Sequence, residues 1–273
     1  MPLYQAIVLA IVQGLTEVLP ISSTAHLALF PWLLGWKDPG LTYDVALHVG
    51  TLVAVLAYFW RPWVDMLSAA SGLGPAENPQ TAENRRLFWF LAISTVPAGL
   101  AGWFFESAAE NQLRRPELIA TALIVVGLLM WVGEHGKTPK TTLRQVNLVD
   151  SLLVGLAQAL AVIPGVSRSG ATMTAALFRG VNRETSARFS FLLSTPIIGG
   201  AALKKGVELL HQGIPPEMRL PFLVGILVAG ISGYLVIAWL IRYLERGTFK
   251  IFVVYRVALG VVVLLLGWGV RHT

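Results

Sequence analysis

Glu17 is the only acidic residue set deep inside an apolar run of this sequence, and it lies in the stretch Gln13-Gly-Leu-Thr-Glu-Val-Leu-Pro-Ile-Ser-Ser-Thr-Ala-His26. A carboxylate in hydrocarbon is costly to keep, so such a residue is read first as functional. Gln13 is one helical turn away and shares its face. Beyond Pro20 the chain restarts on Ser22-Ser23-Thr24. A helix start needs one hydroxyl as its cap, not three. Ser23 and His26 are three residues apart, a spacing that suits an imidazole activating a hydroxyl nucleophile. A second break, Pro164-Gly-Val-Ser-Arg-Ser-Gly-Ala-Thr172, brings Arg168. A guanidinium matches phosphate oxygens bidentately, and a helix start at Ser169 favours anions. Gly165 and Gly170 would let backbone approach a ligand. The two breaks together read as two halves of one phosphate-handling site.

Glu17 is the expected ligand of a divalent cation, magnesium or calcium, since hard cations take oxygen donors beside phosphates. The expected nucleophile is Ser23 with His26 as its base. Direct attack by His26 and attack by metal-activated water remain the alternatives. His48, inside an apolar run, suits a cavity wall or a packed, hydrogen-bonded position equally well. Tyr255-Arg256 is read as an interface anchor or as a brace for the site. His135, His211 and His272 are expected to be inert. The hydroxyls before Pro97 and Pro196 are expected to satisfy the backbone groups that those prolines free.

These residues must be held by membrane-embedded helices. The 273 residues are 55% hydrophobic and 13% charged, with a mean hydropathy of +0.66, and average soluble domains carry about twice that charge. Several runs reach the roughly 20 apolar residues a bilayer crossing needs. The first run has no basic leader and is not expected to be a cleaved signal peptide. There is no cysteine, which excludes disulfides and thiolate metal sites. The net charge of +6 falls in short loops, which points to membrane topology and not to nucleic acid. The nine Trp residues mostly flank apolar runs, as an interfacial belt does.

In order, residues 3–19 and 22–34 predict a broken hairpin, and 43–60, 87–105 and 118–133 predict full spans. Residues 61–86, with Pro62, Pro75 and Pro79, predict an exposed loop, and 136–144 a basic linker. A second hairpin follows over 152–163 and 169–178, then spans at 186–202, 221–241 and 251–270. The expected fold is an all-α polytopic membrane protein: one domain over 1–273, with six transmembrane helices and two re-entrant hairpins. Its inverted repeats would cover about 1–135 and 149–273, a plan whose broken helices meet at the site. The larger share of Lys and Arg, including Arg61, Arg86, Arg144, Arg179 and Arg246, collects on one side. The positive-inside rule makes that side cytoplasmic and turns the first hairpin's mouth outward.

With Gln13-Gly-Leu-Thr-Glu17, Leu19-Pro-Ile-Ser-Ser-Thr-Ala-His26, Tyr43-Asp-Val-Ala-Leu-His-Val-Gly50, Pro164-Gly-Val-Ser-Arg-Ser-Gly-Ala-Thr172, Phe189-Ser-Phe-Leu-Leu193 and Tyr255-Arg256, the chain resembles the bacterial undecaprenyl-diphosphatase family, the bacitracin-resistance membrane phosphatases. The resemblance spans nearly the whole chain. It implies a multi-pass inner-membrane enzyme that takes a polyprenyl diphosphate lipid and removes one phosphate, with a divalent-cation requirement. It implies catalytic roles for Glu17, Ser23, His26 and Arg168. Substrate contacts are expected from Gln13, Ser22, Thr24, Ser167, Ser169, Gly170 and Thr172. Gln13 stands where other members often carry Glu, which leaves one fewer negative charge for a cation. The competing reading, an inverted-repeat transporter or flippase of a phosphorylated lipid, accounts for the architecture without needing the Ser23–His26 spacing. Acid-phosphatase-like membrane enzymes fit less well, because no His follows Ser167-Arg168 within reach. Oligomeric state is left open.

Overall fold

The computed structural model describes residues 1–73, 78–111, 113–136, 140, 142–213 and 215–271. Pro75, His272 and four residues of the basic linker (137–139 and 141) lie outside the described residues. Among the described residues eleven α-helices follow one another: α1 (Leu3–Val18), α2 (Ser23–Leu34), α3 (Leu41–Tyr58), α4 (Trp60–Ala70), α5 (Pro79–Asn111), α6 (Pro116–Glu134), α7 (Leu148–Ala159), α8 (Arg168–Phe178), α9 (Arg183–Gln212), α10 (Pro216–Leu244) and α11 (Lys250–Arg271). The described residues contain no strand. Among the described residues three helical segments, Pro79–Phe105, Pro116–Glu134 and Pro216–Leu244, are long and apolar enough to cross a membrane, and the bent pair α3–α4, counted as one span, brings the number to four.

Residues 61–86 depart from the expected exposed loop. Residues 60–70 form α4, bent 77° from α3. Its Met66 and Ala69 are buried while Arg61 and Asp65 stay exposed. The helix is amphipathic, so its charges hid it from a search for apolar spans. Within α5 and α9, Thr95 donates to the Leu91 carbonyl (2.7 Å), and Ser194 and Thr195 donate to that of Phe191 (2.9 and 3.1 Å). The carbonyls that Pro97 and Pro196 free are those of Ile93 and Leu192, so these hydroxyls do not satisfy them, contrary to expectation, and the Ser94 hydroxyl is buried without a partner.

The two breaks follow one design. Leu19, before Pro20, and Ile163, before Pro164, are both extended, because a proline ring excludes the helical conformation from the residue it follows. The chain then turns through Ser22 (φ 77°) and Ser167 (φ 70°), the two non-glycine residues with positive φ among the described ones. Each costs roughly 1–3 kcal/mol, and such strain concentrates at functional sites. Each serine caps the next helix: Ser22 Oγ accepts from the Ala25 N–H (3.3 Å) and Ser167 Oγ from the Gly170 N–H (3.0 Å). Each also meets the hydroxyl two residues on, Thr24 at 3.1 Å and Ser169 at 3.2 Å.

Both helix pairs fold back on themselves. Tyr4, at the start of α1, meets Trp36, just past α2, edge to face at 5.8 Å. Asp150, at the start of α7, bonds Arg179 at the end of α8 (2.8 Å) and also bonds Lys140. Small residues let the long helices close around these pairs. A Cβ at Gly14 would lie 1.9 Å from Ser232 Oγ, and one at Gly50 would lie 2.3 Å from the Ile226 carbonyl. These close approaches press α1 and α3 onto α10.

Candidate active site

Glu17 sits in the last turn of α1 and gathers polar partners from three other elements. Its Oε1 accepts from Arg168 Nη2 at 2.9 Å, and Ser23 Oγ donates to its Oε2 at 2.5 Å. Gln13 Nε2 and His48 Nε2 lie 3.2 and 3.1 Å from the same Oε2. One side chain thus joins the two breaks: α1 and α2 supply Gln13, Glu17 and Ser23, α8 supplies Arg168, and α3 supplies His48. A buried carboxylate is tolerable when donors saturate its oxygens, as here.

Ser23 and His26, expected to form a pair, are not joined. Ser22 is the cap, so Ser23 begins α2 and its hydroxyl reaches across to Glu17. His26 Nδ1 lies 2.7 Å from the Ser22 carbonyl, which fixes it as the donating nitrogen. The lone pair on Nε2 faces the Tyr255 hydroxyl, also at 2.7 Å. The imidazole therefore holds the turn that presents Ser23, and Glu17 is the acceptor for the serine proton.

Arg256 is a hub that sequence reasoning left as one of two alternatives. It is fully buried and reaches no carboxylate among the described residues. Its guanidinium donates to the carbonyls of Pro20 (2.9 Å), Gly165 (2.9 Å) and Val166 (3.1 Å), and its Nε to that of Leu123 (3.1 Å). One cation thus stitches both breaks together. Arg256→Met strands at least three buried carbonyls, at about 1–3 kcal/mol each. It is expected to lower the melting temperature in detergent and abolish activity together. An unchanged melting curve would show that the breaks hold without it.

Three residues expected at the ligand, Gly165, Gly170 and Thr172, have close neighbours within the protein. A Cβ at Gly170 would lie 3.0 Å from Arg256 Nη1, and one at Gly165 would lie 2.5 Å from the Ile119 carbonyl. The bare Cα positions of these glycines leave room for the Arg256 guanidinium and for α6. Thr172 donates to the Arg168 carbonyl (2.8 Å) and meets Ser190 Oγ (2.6 Å), so its hydroxyl braces α8 on α9. Ser169 Oγ lies 3.1 Å from the Leu19 carbonyl and ties α8 to the first break. Ser22, Thr24, Ser167 and Ser169 all sit at the two helix starts, where first-turn N–H groups lack helical partners.

The site is closed. Ser23 and Glu17 are buried, and the cavity touching Glu17, Arg168, Ser169, Ser190 and Ser194 measures about 10 Å³. That is room for one water. A diphosphate enters only if Glu17 and Arg168 move apart. The donor set also fits a divalent cation: the Glu17 carboxylate is present, and Gln13 Oε1 is a buried acceptor with no partner.

Fold and site define a multi-pass helical membrane protein with a carboxylate, a hydroxyl and a guanidinium at the meeting point of two broken helix pairs. The chain belongs to the family described as bacitracin resistance protein BacA, whose model matches residues 6–262. It is 49% identical over 269 residues to an undecaprenyl-diphosphatase of Moorella thermoacetica, covering 98% of this chain and 99% of that one. A relative of the same name from Desulforudis audaxviator is 47% identical, with 96% and 97% covered. One from Geobacter sulfurreducens is 48% identical, with 97% and 98% covered.

Proposed function

We propose that this protein hydrolyses undecaprenyl diphosphate to undecaprenyl phosphate and inorganic phosphate, returning the carrier lipid to cell-wall synthesis. The observation that carries the mechanism is the 2.5 Å hydrogen bond from Ser23 to Glu17, with Arg168 on the other carboxylate oxygen. The terminal phosphate draws Arg168 away from Glu17 as it enters, and the guanidinium and the two helix starts take up charge on its oxygens. Ser23 Oγ attacks the terminal phosphorus while its proton passes to Glu17. The bond to the bridging oxygen breaks, and undecaprenyl phosphate leaves with that proton. Water then attacks the phosphoserine and gives its proton to Glu17. As the bond from phosphorus to Ser23 Oγ breaks, Glu17 returns that proton to Oγ, inorganic phosphate departs and the Ser23 hydroxyl and the Glu17 carboxylate are restored. His26, with both nitrogens engaged, keeps the Ser22 turn in place. A divalent cation held by Glu17 and Gln13 would neutralise charge on the diphosphate. A flippase does not need a serine hydroxyl on a buried carboxylate, and this contact favours hydrolysis.

The fold supports an inverted repeat of about 1–135 and 149–273, with α1–α2 and α7–α8 as re-entrant hairpins and α3, α5, α6, α9, α10 and α11 as six spans. The matched turns at Ser22 and Ser167 favour this reading, as does the return of each hairpin to its own starting side. It puts the protein in the bacterial plasma membrane with the first hairpin's mouth outward. Cysteines introduced at Lys37 and Arg115 are expected to react with an impermeant reagent in intact cells, and those at Arg144 and Arg246 only after permeabilisation. The reverse pattern would overturn the orientation.

The function itself is tested by incubating purified protein with undecaprenyl diphosphate. One phosphate released per lipid, with undecaprenyl phosphate as the other product, is expected. Release of diphosphate, or no release with any divalent cation, would contradict the proposal.

A further inference from the structure

We infer that His48 is a ligand of the divalent cation, completing a site with Glu17 Oε2 and Gln13 Oε1. The inference rests on the proposed cation at Glu17 and adds to it a nitrogen donor.

Three observations converge on this site. His48 Nδ1 lies 2.7 Å from the Asp44 carbonyl, so that nitrogen carries the hydrogen and Nε2 is left to face Glu17. A histidine held in this way by a backbone carbonyl is the usual arrangement for metal ligation through its other nitrogen. His48 Nε2 and Glu17 Oε2 are 3.1 Å apart, and Gln13 Nε2 lies 3.2 Å from the same oxygen. Neighbouring ligands about 2.1 Å from an octahedral cation are themselves about 3 Å apart. The third observation is the orphan. Gln13 is fully buried, yet its Oε1 has no partner, because the amide must turn its N–H to the carboxylate. A cation reverses that demand, since turning the amide puts Oε1 where Nε2 stands and gives the oxygen a use. The cation would then replace the Gln13 N–H contact on Oε2, separate that oxygen from the bare His48 Nε2 and leave the Ser23 hydrogen bond intact. No three His, Cys, Asp or Glu side chains cluster as a metal site among the described residues. The third donor here is a carboxamide.

The donor set has a chemical consequence. An imidazole raises affinity for first-row transition cations, whereas purely oxygen sites suit magnesium and calcium. Manganese is therefore expected to bind more tightly than calcium, and His48→Gln to weaken manganese at least about tenfold while changing calcium binding less.

Pulsed electron paramagnetic resonance of manganese bound to the purified, full-length protein tests this without an activity assay. The expected result is modulation from a directly bound histidine nitrogen, which changes frequency when the protein is grown with ¹⁵N-histidine. His48→Gln should lose the signal or the ion, and His26→Gln should keep both. One bound manganese with no nitrogen coupling, or coupling that survives in His48→Gln, would overturn the assignment while leaving the cation at Glu17 standing. No manganese bound to the unaltered protein would overturn both.

Discussion

Ser23→Ala is expected to reduce the turnover of undecaprenyl diphosphate by at least about 10³-fold, as loss of a nucleophile does in enzymes that work through a covalent step. The substitution removes one small hydroxyl and leaves the Ser22 cap, the His26–Tyr255 contact and the Arg256 carbonyl cluster untouched. Melting behaviour and cation binding should therefore stay near those of the unaltered protein. If Ser23 only bound substrate, KM would rise and kcat would be preserved. Steady-state kinetics on the purified variant distinguish the two, and near-normal kcat would remove Ser23 from the chemistry.

A loss of comparable size is expected from Arg168→Ala. A guanidinium that meets a transferring phosphoryl group contributes on the order of 10³–10⁵ in rate. Glu17 would lose one partner but keep Ser23, Gln13 and His48, so the protein should still insert and fold. Arg168→Lys should recover only a small part of the activity, because an ammonium cannot hold two oxygens in one plane. Rates measured at low and saturating substrate test this. Full activity in the lysine variant would mean that charge alone is required, and full activity in the alanine variant that Arg168 serves only as the partner of Glu17.

Much of this site was legible in the sequence because its parts are anomalies in an apolar chain. Glu17 and Arg168 stand out in hydrocarbon, and Pro20 and Pro164 each precede a hydroxyl cluster where the helix restarts, unlike Pro97 and Pro196 inside α5 and α9, so the two breaks and their meeting point could be read from composition and pattern. The pairings within the site did not follow. Three-residue spacing suggested that His26 serves Ser23, but a positive-φ turn at Ser22 sets the phase of α2 and sends the Ser23 hydroxyl to Glu17 instead. The partners of Arg256 are backbone carbonyls, which leave no mark in the sequence. His48 depends on the packing of α3 beside α1, which is a tertiary contact that its own stretch of sequence does not encode. Gly165 and Gly170 were recognised as necessary but for the wrong neighbour, since a glycine reports close approach without naming what approaches.

The claim that terminal phosphate passes to Ser23 on a Glu17 base is tested most directly by quenching the purified protein during its first turnover with terminally labelled undecaprenyl diphosphate. The account predicts acid-stable label in the peptide that carries Ser23, absent from Ser23→Ala and accumulating before free phosphate. Acid-labile label on His26, or normal turnover with no labelled protein at any time, would contradict it.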